Sequence, residues 1–391
     1  MTTVPDLGTP PPTPPAPPAP APSSSDRRGS PIPTGGMIAT RIMELRKRRG
    51  LMIALTLVTI GIPTILLLIR LLLHAFDPKS YGPAGGYSIY TGLSAGVLYV
   101  FGFIVAATLG CTAGSVDLTE GMFRHLVVTG RSRLALYLAR IPAGLAIIVP
   151  MVAVGFAIVC AVCVFAAPAE LSYDGVNVPA GLSLTGLENW AAGHADVVLC
   201  DFNYNGPGLN VPCGPNGVII TGPGSQVPPG SVQPTHAQLR AAAIRIAKQD
   251  FPNYSTQFRY PSDSLMIRTG LWIELEAAIG FTVGLGLSSL MGQRTVSVIV
   301  MIVLEIVLTP IFSRARIPHF LNLQRAVVGV ATAHLAPGGI PVFGGGGGGP
   351  GGGQGNPGLI PESHIVAVCV IIAWLVVWTA LGAWRMMRRD A

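Results

Sequence analysis

Apolar residues fall in six long blocks, about Leu51–Leu73, Ile89–Ala113, Ile141–Ala166, Met266–Leu290, Thr295–Phe312 and His364–Trp384. Each comes close to or exceeds the ~20 residues that a helix needs to cross a bilayer. The pattern predicts an all-α polytopic membrane protein of six transmembrane helices, with a large polar extracytoplasmic insertion between spans 3 and 4. Pro63 sits inside the first block and predicts a kink. Arg70, near that block's outer end, can snorkel to the headgroups. The second block is rich in Gly, Ala, Ser and Thr, which let helices approach closely in lipid.

The polar stretches set the topology. Residues 36–50, GMIATRIMELRKRRG, carry Arg41, Arg46, Lys47, Arg48 and Arg49 ahead of the first block. Positive charge of this kind marks the cytoplasmic side. Ile42, Met43 and Leu45 add a modest apolar side, so 37–50 reads as a basic interfacial helix. Six crossings then return the chain to the cytoplasm, where Arg385, Arg388 and Arg389 follow the last block. Both termini are expected inside a bacterial cell membrane. Domain boundaries follow: spans 1–3 in 51–167, the insertion in 168–262, spans 4–5 in 263–312, an extracytoplasmic segment in 313–362, and span 6 with its basic tail in 363–391.

Within the insertion, Pro234–Asp250 predicts a helix with Leu239, Ala243 and Ile246 on one side. Asn253-Tyr254-Ser255 fits a glycosylation acceptor only as a three-residue pattern. The apolar run Ala326–Leu335 spans about half a membrane, which predicts a surface or re-entrant helix. GGGGGGPGGGQG, 344–355, is a flexible linker. Residues 1–36 are dominated by Pro, Ser, Thr and Ala and are expected to be disordered.

Composition agrees with membrane residence. Only 11% of the 391 residues are charged, against ~25% in soluble proteins. The net charge of +7 sits mostly beside the apolar blocks, which argues for membrane orientation and against nucleic acid as a partner. Of six cysteines, Cys111, Cys160, Cys163 and Cys369 lie in apolar blocks as packing residues. Cys200 and Cys213 fall in the polar insertion and form a candidate disulfide.

Candidate chemistry is sparse. Glu305 lies midway along the fifth block. An intramembrane carboxylate there can line a translocation path, lock the bundle to a neighbour, or be a protonated group satisfied by an adjacent helix. Glu274 and Glu276 read as nearer the outer end of the fourth block, where Arg268 can pair with one. Gly92-Leu93-Ser94-Ala95-Gly96 matches G-x-S-x-G, and His364 is also near an outer face. That keeps an intramembrane hydrolase using Ser94 as a remote alternative, although a nucleophile elbow needs a strand-to-helix turn. Gly92 and Gly96 equally make a GxxxG packing pair. No catalytic residue and no metal or cofactor site is otherwise indicated. The chain has only three lysines, Lys47, Lys79 and Lys248, and none completes a Walker A loop.

Between the second and third blocks lies DLTEGMFRHLVVTGRSRLALYLAR, 117–140. Met122, Phe123, Leu126 and Val127 recur at helical spacing among Arg124, His125, Arg131 and Arg133. The segment reads as a short amphipathic helix on the cytoplasmic surface, over 117–133. Together with Glu44-Leu45-Arg46-Lys47-Arg48-Arg49, the residues Glu120-Gly121, Arg124, Leu126–Val128 and Gly130-Arg131-Ser132-Arg133 resemble the permease subunit of an ABC-2 type transporter. Met122 stands where that family usually has Thr. The resemblance implies that Glu120, Met122, Phe123, Arg124, Arg131 and Arg133 couple to a separate ABC ATPase subunit, which binds the ATP. It also implies a second permease subunit, as homo- or heterodimer, and an exporter with no bond chemistry of its own. The alternative is a non-transporting membrane scaffold or assembly protein with an extracytoplasmic binding region.

Overall fold

The computed structural model describes residues 32–81, 83–119, 132–173, 176–201, 213–214, 217–218, 235–257, 260–314, 319–337, 340, 360 and 362–388. Six helices are long and apolar enough to cross a membrane: Arg49–Phe76, Ile89–Val116, Arg133–Phe165, Asp263–Met291, Arg294–Phe312 and His364–Arg388. They are called here the first to sixth spans. They correspond to the six apolar blocks, and the chain is a predominantly helical, multi-pass membrane fold.

The interfacial helix Gly35–Lys47 precedes them. Arg48 leaves the helical region, with ψ at 70°, and separates it from the first span. Leu45 turns inward while most of the basic residues stay partly or fully exposed. The helix packs on the third span.

The fourth span is the centre of the bundle. In its most apolar stretch 72% of residues are buried, against 17–22% for the first, fifth and sixth spans. Its principal neighbour is the second span, and the two helices meet through small residues. A Cβ on Gly280 or Gly284 would run into the Phe103 or Ala107 carbonyl at 2.8 and 2.7 Å. A Cβ on Gly110 or Gly114 would collide with the Phe281 carbonyl or the Ser288 hydroxyl of the fourth span. Each helix therefore supplies a GxxxG pair to the other, and the close approach substitutes dispersion contacts for the hydrophobic drive that lipid does not provide. The Gly92–Gly96 pair does not take part: a Cβ on either meets nothing within 4 Å.

Three spans contain π-helical turns, at Leu57–Gly61, Leu93–Tyr99 and Val303–Leu308. The first lies just ahead of Pro63. Proline has no N–H to return to the carbonyl four residues earlier, and that carbonyl, on Thr59, sits over Gly155 of the third span. The kink expected at Pro63 is thus a widened turn with a defined contact.

The third span begins at Arg133, eight residues before the expected boundary at Ile141. Ser132 caps it, its hydroxyl accepting from the Ala135 N–H at 3.1 Å. Ala135, Leu136 and Tyr137 are buried, which makes this polar-looking stretch part of the bundle. The second span's helix likewise continues through Thr119. The expected surface helix over 117–133 is therefore helical at both edges as extensions of the spans, and its middle, 120–131, lies outside the described residues.

The fourth and fifth spans join through Gly292. Its φ of 73° is left-handed, and its N–H returns to the Ser288 carbonyl at 2.8 Å. Between the fifth and sixth spans lie two short helices, Leu321–Arg325 and Val328–His334. The second is buried over Val328–Ala333 and packs against the fifth and sixth spans. The expected surface or re-entrant helix is a half-helix inserted in the bundle.

Residues of 168–262 form an antiparallel hairpin of β1 (Glu170–Tyr173) and β2 (Val176–Pro179), three helices (Leu184–Gly193, Ala195–Asp201, His236–Gln257), and a two-residue pairing of β3 (Cys213–Gly214) with β4 (Gly217–Val218). Leu239, Ala243 and Ile246 of the last helix are buried as its spacing predicted. They join Leu187, Ala191 and Val198 in a core separate from those of the spans. The tail through Ser30 and the Gly-rich run 344–355 lie outside the described residues.

Candidate functional site

The fifth span carries Glu305 inside its π-helical turn, and the side chain is 1% exposed. It faces the interior of this chain's own bundle. One carboxyl oxygen, Oε2, lies 3.4 Å from the Thr309 hydroxyl. That hydroxyl also donates to the Leu304 carbonyl at 2.9 Å, and its single proton cannot fully serve both. The other oxygen, Oε1, has no hydrogen-bond partner.

A second carboxyl group lies beside it. Glu276, on the fourth span, is 1% exposed, and neither of its oxygens has a partner at hydrogen-bonding geometry. The sequence pattern placed Glu274 and Glu276 near the outer end of the fourth block, with Arg268 able to pair with one of them. The structure instead buries Glu276 midway along a 29-residue helix, facing the fifth span. The two helices are one antiparallel hairpin, so a carboxylate in the middle of each meets the other. Glu274, two residues earlier, points elsewhere and is only partly buried.

Two further elements close the cluster. From the second span comes Tyr99, within its π-helical turn and fully buried, close enough to feel the charge of both carboxyl groups. Its ring stacks on Trp272 of the fourth span, centroids 4.6 Å apart and planes 6° from parallel. From the half-helix comes Thr332, whose hydroxyl lies 3.4 Å from the Tyr99 hydroxyl. Trp272 donates its indole N–H to the Thr332 carbonyl at 2.9 Å. Gly329 brings the half-helix backbone against the fifth span, since a Cβ there would stand 2.5 Å from Thr309 Cγ2 and 2.8 Å from Glu305 Oε2.

A carboxylate in a membrane interior is costly, and most buried polar atoms find a partner. Here three carboxyl oxygens have none. Such a cluster can accept hydrogen bonds from a donor or a cationic group that enters between the spans. Its other effect is mechanical, because four elements share it.

Beyond the half-helix, His334 sets one ring nitrogen 2.7 Å from the Val330 carbonyl and the other 2.7 Å from the Ile360 carbonyl. Both nitrogens act as donors only in the imidazolium form. Glu362 lies 3.6 Å away. This clip ties the half-helix to the start of the sixth span.

At the end of the bundle holding both described termini, Arg133 donates to the Met387 carbonyl at 3.1 Å. Of the residues expected to couple to an ATPase, it alone is described; Glu120, Met122, Phe123, Arg124 and Arg131 fall outside. The side chains of Cys200 and Cys213 also fall outside. Ser94 is buried in a helical turn of the second span, not on a strand-to-helix elbow. Cys111, Cys160, Cys163 and Cys369 are free thiols.

Glu305 stands out in the sequence as an intramembrane carboxylate; its neighbours in the cluster do not. Tyr99, Trp272 and Thr332 are ordinary membrane-helix residues by type, and only the half-helix insertion brings them together. A second carboxylate at a similar distance from the Gly292 turn was the available signal. No family model matches the chain, and neither curated proteins nor solved structures give a match.

Proposed function

We propose that the chain is the membrane-spanning permease subunit of an ATP-driven, ABC-2 type exporter, working with a separate ATPase and a second permease subunit. The bundle end that holds the interfacial helix and the basic C-terminus is cytoplasmic on this reading, and residues 168–262 and the half-helix segment are extracytoplasmic. The observation that carries the reading is the convergence of basic elements at that one end. The interfacial helix packs on the third span, Arg133 bonds the end of the sixth, and the second and third spans extend past the expected boundaries toward 120–131. A push on the segment between them would thus act on the ends of two packed spans. The π-helical turns support a switching role, since such turns recur at functional sites.

The test is co-purification in mild detergent. An ATP-binding protein is expected to accompany the native chain. Phe123→Ala with Arg124→Glu is expected to abolish that association while all six spans remain inserted. Undiminished association after both changes would sink the reading and favour a scaffold whose 168–262 unit binds an external partner.

A further inference from the structure

No Lys, Arg or His among the described residues acts on the Glu276–Glu305 pair. The titratable groups facing it are the two carboxyl groups themselves and Tyr99 of the second span. The half-helix brings Thr332 and the Gly329 backbone. Two like charges side by side out of water cannot both persist. A proton needs no space between packed helices. On one carboxyl group it becomes the donor that a neighbouring unpartnered oxygen lacks.

A second set of unpartnered groups lies toward one end of the bundle. Tyr90 and Ser94 stand one turn apart on the second span. Thr269 of the fourth span and Ser94 lie beside the Tyr90 hydroxyl, and Cys160 and Cys163 of the third span are the titratable groups near it. Tyr90, Ser94 and Thr269 are each 0% exposed, and none of their hydroxyls has a hydrogen-bond partner. This end carries the 168–262 unit. Just ahead of Tyr90, the Gly86 N–H donates to the Cys163 carbonyl at 2.9 Å, where the third span runs out toward β1. From Thr269 to Glu276 is two helical turns, about 10 Å, and the stacked Tyr99 and Trp272 occupy that interval. On the other side of the pair, the second and fourth spans close directly on each other at Gly280 and Gly284. Between these two spans the polar approach therefore lies on the 168–262 side.

We infer that Glu276 and Glu305 share one exchangeable proton, which reaches them from the 168–262 end by way of Tyr90, Ser94 and Thr269. Each hydroxyl can accept a proton on one side and release its own on the other, with water as the bridge that buried polar groups take. The proton comes from bulk water and ends on a carboxylate oxygen, so the pair passes from two negative charges to one. The inference holds whether or not the protein transports anything.

The test is infrared spectroscopy of the full-length chain in lipid nanodiscs, in water and after transfer to deuterium oxide. At neutral pH exposed carboxyl groups are ionised, so a carboxylic-acid C=O band reports buried acid. The difference between the native chain and Glu276→Gln with Glu305→Gln is expected to hold one such proton per chain. No difference band, or a band worth two protons, overturns the sharing. Loss of the band when sodium chloride replaces choline chloride also overturns it, in favour of a metal cation. Ser94→Ala with Thr269→Val is expected to slow deuterium exchange of the band by about tenfold, the scale of a lost hydrogen-bonded link. Thr64→Val, whose exposed hydroxyl serves the Ile60 carbonyl on the first span, should leave the rate unchanged. An unchanged rate in the Ser94 and Thr269 variant overturns the route. Should the Gln variant not survive purification, the native chain decides through dicyclohexylcarbodiimide, which attacks protonated carboxyl groups in apolar surroundings. It is expected to label Glu276 or Glu305, and labelling of neither overturns the inference.

Discussion

Glycine does two separate jobs in this chain, and they can be told apart by substitution. Gly329 is the point where the half-helix touches Thr309 and Glu305, both on a packed helix that has little room to yield. Gly329→Ala is expected to lower the thermal midpoint in detergent by an amount equivalent to ~1–3 kcal/mol, the usual cost of overpacking. Gly96→Ala meets open space and is expected to be neutral or stabilising by up to ~1 kcal/mol, the helix-propensity gain. Equal losses for the two would remove the half-helix contact from the account. Residue type alone could not make this distinction. The spacing of Gly92 and Gly96 resembles that of Gly280 and Gly284, but the residue opposite each decides whether the absent side chain matters. Glu276 was hidden for the same reason: what surrounds it comes from other spans.

At the level of elements, hydropathy predicted more than it did for single side chains. Six spans, the interfacial helix and the half-length helix all follow from run length and charge, because a bilayer penalises any other arrangement. Boundaries failed where polar residues found partners in the bundle: Arg133 and Arg140 look like loop residues until Met387 and Gly114 supply acceptor carbonyls. The half-helix depends on its clip. Burial pushes the Glu362 carboxyl above its ordinary value, against the opposing pull of His334 and Arg325. A raised carboxylate value means stability that is fully present below the unfolded value near 4.5 and declines as pH rises through the folded one. The thermal midpoint of the native chain is thus expected to fall across that interval, and Glu362→Gln to flatten the fall. A variant profile parallel to the native one would place the pH dependence elsewhere.

At the scale of the whole molecule, the cores of the spans and of the 168–262 unit share no residue among those described. Replacing 170–259 by a short flexible linker is therefore expected to leave the six spans inserted and monodisperse in size-exclusion chromatography. Collapse of the bundle on that deletion would mean the unit holds the spans together. The described bundle also carries three widened turns, in the first, second and fifth spans. A widened turn shifts the helical phase by roughly one residue, about 100°. A single wheel drawn through any of these spans is consequently right on one side of the turn and rotated on the other. Glu305 and Tyr99 both sit within such a slip, so no uniform periodicity reveals that they look at each other.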